Sequence, residues 1–424
     1  LVMNGTAFDT ITTTTDSVYG LGIVNQGDSN ATVVLSGTGI ITTGGENAHG
    51  VLAQVVGLGD ALAQMDGGNI TTGGDNSEGV YAISQGDGTA TATLTAGDIS
   101  TAGTAAYGVV ATNLLAANTG AITATMGGGS VTTTGINGHG VYAISRGDST
   151  ATATLTAGDI STAGTKSHGV VATSFLATNT AATTATMTGG AVTAQGYGVL
   201  ARNNGNGAAT AMLTAGDIIT DGSFNYGLVA WNFAGTNAVA TTATMSGGTL
   251  TTMGSNGRGI YALNQGNGTA TATLAAGDVS TQGLNGYGVI AWNTSTTNAV
   301  AATATMSGGS VTTAGAASHG VVVRHSGSGT AEIEMSDGTV TTIGAGSHGL
   351  NSQISDPAST ATATVLLTGG EIETAGTTAR GIYARHDGLG DALAQMDGGS
   401  IVTAGTTSQG VAAFILNADS AGTT

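Results

Sequence analysis

Four histidines are the first candidates for chemistry in this 424-residue chain. His139 and His168, and again His319 and His348, stand 29 positions apart. If each interval is one turn of a repeat, the two rings of a pair lie one strand spacing apart, close enough to share a metal ion. No carboxylate or third ligand recurs beside them. Tyr19, Tyr107, Arg258 and Gln409 hold the equivalent place elsewhere, so a stacked ladder of planar side chains accounts for the column, and no metal or cofactor is expected. The acidic candidates are Asp98, Asp159, Asp217 and Asp278, which fall on alternate repeats and so would lie nearly 10 Å apart. A glycosidase-like pair would need carboxylates on adjoining turns, and no basic residue accompanies these four. Glu332/Glu334 and Glu371/Glu373 each share a strand face but have no recurring partner. No catalytic residue is expected, and the chain reads as a non-enzyme.

Three further features could serve binding. Arg146-Gly147-Asp148-Ser149 spells a tetrapeptide recognised by many integrins and falls at an exposed turn. Its neighbours Gln26-Gly27-Asp28-Ser29 and Gln85-Gly86-Asp87-Gly88 show that Gly-Asp is the turn itself, with Arg146 the only novelty. The Thr-Ala-Thr-Ala-Thr runs at 89–93, 150–154 and 269–273 resemble the Thr-x-Thr faces of ice-binding β-solenoids. Strand propensity alone also favours them, and the alternate repeats are expected to interrupt the array. Finally, Leu114, Leu115, Phe175, Leu176, Trp231, Phe233, Trp292 and Phe414 recur along one edge, with both tryptophans in one column. A line of exposed aromatics is a contact surface for protein, glycan or another copy of the chain. The alternative is that each corner folds back and buries its own side chains.

The elements that hold these residues follow from periodicity. A glycine recurs at 20, 50, 79, 108, 140, 169, 198, 227, 259, 288, 320, 349, 381 and 410, at intervals of 29 to 32. The position after it is always Val, Leu or Ile, and Ala stands two further on in most repeats. A second column runs through Ile70, Ile99, Val131 and Ile160, with Leu or Met five residues before each and Thr two residues after most. Residues i and i+2 share a strand face, so all of these point inward, and the Thr hydroxyls are expected to bond one another along the stack. The distance from the glycine to the Leu/Met column alternates between 15 and 18 from Gly79 onward, so the repeating unit is two turns, about 61 residues. Short corners carry Gly and Asp; long corners carry the bulky apolar residues. The fold class predicted is all-β: a right-handed parallel β-helix of about 14 turns, three strands per turn, continuous from 1 to 424. At about 4.8 Å per turn it would be a rod roughly 65 Å long.

Composition narrows the partners. The net charge is −18 with seven Lys+Arg, which argues against nucleic acid and against anionic membrane surfaces. There is no cysteine, and 74 glycines accompany only one proline. Both ends fall partway through a repeat, so the chain is expected to continue, to be capped, or to stack end to end, because raw strand edges invite pairing.

Phrases such as Met306-Ser-Gly-Gly-Ser-Val-Thr-Thr-Ala-Gly-Ala-Ala-Ser-His-Gly-Val321 resemble the passenger domains of autotransporters, and the resemblance extends over all 424 residues. It implies export through a C-terminal outer-membrane barrel that these residues do not include, an extracellular or bacterial cell-surface location, and membrane contact only through that barrel. The expected role is an adhesin or cell–cell contact fibre acting through repeated lateral surfaces. The expected partners are other copies of the chain, or a cell-surface protein or glycan. The alternatives are a subunit that stacks into a filament and, last, a polysaccharide-active enzyme.

Overall fold

A computed structural model describes residues 2–5 and 8–424, and all regular structure among them is extended. Each turn has three strands, as in Ala90–Leu94, Asp98–Thr101 and Val109–Asn113. First and second strands pair only with their equivalents in the next turns to form one parallel sheet; third strands form the other. In four turns the first two strands run together, as in Ala302–Thr313. The chain is a parallel β-solenoid of fourteen turns in two compact units, Leu1–Gly207 and Ala208–Thr424, with seven turns each.

Register is strict because one residue of slip would turn the apolar set outward. In the first unit Val80, Val109, Val141, Val170 and Val199 stack in one inward row, and Ala82, Ala111, Ala143, Ala172 and Ala201 in another. The second-strand column is buried from Ile41 to Ile372 and the Leu/Met column from Leu35 to Leu367. Each fully buried Val, Leu or Ile contributes about 1.5–3 kcal/mol. Met and Leu largely alternate in that column, and methionine tips reach the glycine bend of the next turn. A Cβ at Gly97, Gly158, Gly277 or Gly338 would stand 2.6 to 2.8 Å from the Cε of the methionine one turn before. Methionine therefore reaches over a bend that only glycine leaves open.

The periodic glycine is required for space rather than for its backbone angles. A Cβ at Gly108 would lie 2.2 Å from Val131 Cγ1 and 2.6 Å from the Gly140 carbonyl oxygen, and Gly79 meets Ile99 in the same way. The left-handed residue stands three positions earlier. Asn47, Asn76, Ala105, Asn137, Lys166, Phe224, Asn256, Asn285 and Ala317 all have φ between 51° and 61° there. Only the turn of Gly198 lacks such a residue, the corner where the sequence is three residues short.

Two expectations change. The inward threonines do not bond one another. Thr43, Thr72, Thr101, Thr133, Thr162, Thr313 and Thr342 each donate across the corner to the carbonyl five residues on, at 2.6 to 3.1 Å. Nor do alternate turns interrupt the Thr-x-Thr array across four turns of the first unit: Thr91, Thr123, Thr152 and Thr184 pair in register, as do Thr93, Thr125, Thr154 and Thr186, before Leu62 and Gln64 end the rows. The interruption was expected from the bulky long corners, which precede these strands and leave their threonines in register.

Candidate functional site

The residue before the periodic glycine leads into or starts the third strand, and its ring leans along the stack. Tyr107, His139, His168 and Tyr197 lie face to face at 5.2, 4.7 and 4.6 Å between centroids, with planes within 9° of parallel. In the second unit Tyr287, His319 and His348 do the same at 5.4 and 4.8 Å. The histidines have a backbone task. The Nδ1 of His139 accepts the His168 amide N–H at 3.1 Å, and His168 accepts that of Tyr197 at 2.8 Å. His319 and His348 accept from His348 and Arg380 at 3.0 and 3.2 Å. Each Nδ1 lone pair is thereby taken, which leaves neither His pair poised to chelate through it. Burial holds these imidazoles neutral: His168 and His348 are pushed down to about 4, and His139 and His319 lie well below the usual histidine range. Neighbouring cations add to this, Arg202 at His168 and Arg380 at His348.

Outward positions two and four after the glycine continue the same face. Tyr81, Tyr142, Tyr261 and Tyr383 occupy the first of these columns. Tyr142 meets Tyr107 and His139 edge-on at 5.3 and 4.9 Å. The second column holds Ile83, Thr112 and Ile144 in the first unit and Trp231, Leu263, Trp292 and Arg324 in successive turns of the second. The result is a furrow over the third-strand sheet. In the first unit it encloses about 440 Å³, floored by Tyr81, Val110 and Ile83 and walled by Tyr107, Leu114 and Arg146.

Residue types are segregated onto this face. All nine tyrosines fall immediately before or two after the glycine, and both tryptophans fall four after it. All six arginines lie on or beside the same face: Arg258 and Arg380 in the ring column, Arg202, Arg324 and Arg385 in the column four after, and Arg146 two residues further, on the furrow's wall. In the second unit Arg258 lies over Tyr261 at 4.2 Å and over Tyr226 at 5.0 Å, and Arg324 lies over Tyr287 at 5.0 Å. Trp292 stands 5.5 Å from both guanidinium groups. Arg324 also donates to the Tyr287 hydroxyl at 2.8 Å. Arg385 pairs with Asp387 at 2.6 Å, whereas no carboxylate pairs with Arg258 or Arg324 among the described residues. The Nε atoms of both are buried without an acceptor.

The sequence-derived candidates separate into two groups. Leu114, Leu115 and Phe175 are exposed at the long corners, at 41, 50 and 45 %, with Leu176 half-buried beside them. Trp231, Trp292 and Phe414 are not corner residues. The strands Tyr226–Asn232, Tyr287–Asn293 and Gln409–Ile415 run past them because the next residue, Asn232, Asn293 or Ile415, points inward. Phe233 joins the corner to the strand by stacking on Trp231 at 4.1 Å. In the Arg-Gly-Asp turn, Arg146 and Asp148 are exposed and Gly147 is buried. A Cβ at Gly147 would meet the Asn118 carbonyl oxygen at 2.3 Å, and Asp148 accepts the Thr180 amide and hydroxyl at 2.8 and 3.2 Å. Asp87 holds Thr119 in the same way, so this turn chemistry is general to the short corners. Asp98, Asp217 and Asp278 are exposed and each accepts a hydroxyl from the next turn, Ser130, Thr249 or Ser310.

The column four after the glycine, with Arg202, Arg324 and Arg385, was missed from sequence, although Arg258 was read as part of the ladder before the glycine. Strand parity alone would have found it, since the columns one and three after the glycine were assigned inward. Comparison with protein-family models, curated proteins and solved structures finds no match. The likeness to autotransporter passengers therefore rests on the repeat phrases themselves.

Proposed function

We propose that the chain is an adhesive surface protein of the autotransporter-passenger kind, which makes contact through the aromatic and arginine-lined face of its third-strand sheet. The observation that carries this reading is the segregation of every tyrosine, tryptophan and arginine to that face in a chain of net charge −18. Rings and guanidinium groups are the side chains most often found at the energetic centres of interfaces. Their repetition turn by turn suits many weak contacts summed into avidity rather than one tight pocket. An extracellular site of action belongs to the same proposal. Replacing Trp231 and Trp292 by Ala together is expected to weaken attachment to cells, or bundling, without changing the circular dichroism. Unchanged attachment would sink the reading.

A second reading is end-to-end stacking, in which the strand edges of one copy pair with those of another. Stacking predicts filaments that lengthen with concentration under negative-stain microscopy, and short particles of one size at all concentrations would refute it.

A further inference from the structure

We propose that the same outward face of the third-strand sheet in the second unit binds an extended acidic polysaccharide whose uronate carboxylates are held by Arg258 and Arg324; this rests on the contact reading above and names its ligand. Four successive turns supply the pattern. Trp231 belongs to the turn of Gly227, Arg258 to that of Gly259, Trp292 to that of Gly288 and Arg324 to that of Gly320. Trp231, Trp292 and Arg324 share the column four after the glycine, with Leu263 between the tryptophans, and Arg258 reaches toward it from the ring column of Leu263's own turn, so the turns present ring, cation, ring, cation in order, two turns rising about 9.6 Å. A polysaccharide with a two-sugar repeat, one neutral and one a uronate, presents apolar ring faces and carboxylates with that same alternation when laid along the stack.

Charge and wiring point to an anion. Arg258 and Arg324 are half-buried, pinned on Tyr261 and Tyr287, and lack a carboxylate partner in a protein with 25 acidic residues. Their Nε atoms are enclosed by protein without an acceptor, so an acceptor must reach the guanidinium from the open side. A planar guanidinium held on a ring is preorganised for a carboxylate in a way a lysine ammonium is not. Trp292, with both guanidinium groups over its ring at 5.5 Å, holds the two cations beside an apolar surface.

The test uses the full chain and hyaluronan oligosaccharides, whose repeat alternates glucuronate with a neutral hexosamine, titrated calorimetrically against neutral chitin oligosaccharides. Hyaluronan is expected to bind saturably and the neutral chain at least tenfold more weakly. Binding should weaken with added sodium chloride. Arg324→Gln should cost at least tenfold, Arg324→Lys less, and Lys166→Gln, a cation away from that face, nothing. Matched circular dichroism and unfolding midpoints guard against a folding artefact, and the lysine variant serves if the glutamine variant misfolds. Equal binding of the neutral oligosaccharide, no saturable binding, or equal losses for Lys166→Gln and Arg324→Gln would each overturn the assignment. If cells are bound while hyaluronan neither binds nor competes, the ligand is wrong and the contact reading survives. If hyaluronan binds but the double tryptophan variant attaches normally, the contact reading falls and the glycan site stands.

Discussion

Every histidine in the column before the periodic glycine acts as a substitute for a backbone carbonyl. By accepting the next turn's amide, it leaves the carbonyl before it for the inward threonine: Thr133 donates to Gly138 at 2.8 Å and Thr313 to Ser318 at 2.7 Å. Where arginine holds the column the threonine loses out. The Gly257 carbonyl accepts the Tyr287 amide, the Ala379 carbonyl accepts that of Gln409, and Thr252 and Thr374 are buried without a partner. Thr281, in the turn of Tyr287, is likewise buried without a partner. Thr133→Val should therefore cost about 1 kcal/mol or more, because it strands the Gly138 carbonyl, while Thr281→Val should be neutral or stabilising. Urea unfolding midpoints of the two variants distinguish these outcomes. The same wiring sets an acid limit. The folded pKa values of His168 and His348 are lowered from 6.5 to about 4, so between those values the unfolded chain binds more protons and stability falls as pH drops. A shift of that size is worth up to about 3 kcal/mol, less where the residue keeps some exposure, as His168 does. Thermal midpoints should be flat above pH 7 and decline from about pH 6.5 toward pH 4. His168→Gln with His348→Gln should flatten that decline.

At the scale of strands and corners, long and short corners support one another. The buried Asn298 donates to the carbonyls of Gly266 and Gly268, both at 2.9 Å, and so fastens the preceding short corner. Asn298→Ala leaves two enclosed carbonyls unmet and should cost about 2 kcal/mol, whereas the neighbouring exposed Asn-to-Ala changes should cost little. Corners also store strain. Ala317 sits at φ 53°, where a side chain costs about 1–2 kcal/mol, so Ala317→Gly should raise the unfolding midpoint; a fall would remove the strain argument. These elements differ in how legible they are. The inward columns are visible as repeated Val, Ala, Ile and Met at fixed offsets, because burial admits few residue types. The left-handed position is not, since Ser, Asn, Ala, Lys, Phe and Thr all occupy it and only the backbone reveals it. The contact face was partly legible: its rings show as a Tyr/His column, but Arg258 and Arg324 occupy different columns and meet only when turns are stacked. The tryptophans were placed at the corner because corner and strand join without a break in composition.

For the whole molecule, charge and repetition set the behaviour. With net charge −18 the folded chain repels itself, and salt should raise its thermal midpoint until the charges are screened, over roughly the first few tenths molar. A midpoint that falls with salt would mean that the cation-bearing furrow dominates instead. The fourteen-turn architecture was legible from one glycine column, because a stack repeats its steric demand at every level. What the stack contacts was less so, since that depends on which outward residues differ from turn to turn. The fastening of each short corner by the long corner after it has a genetic counterpart. A single short turn lost from the alternating stretch would set two long corners side by side, leaving a buried asparagine without its glycine carbonyls, whereas short corners can adjoin, as those after Gly20, Gly50 and Gly79 do. A cassette of two turns preserves every such contact. Lineages of this chain should therefore gain or lose length in steps of about 61 residues, with the alternating ring and cation of the contact face copied along.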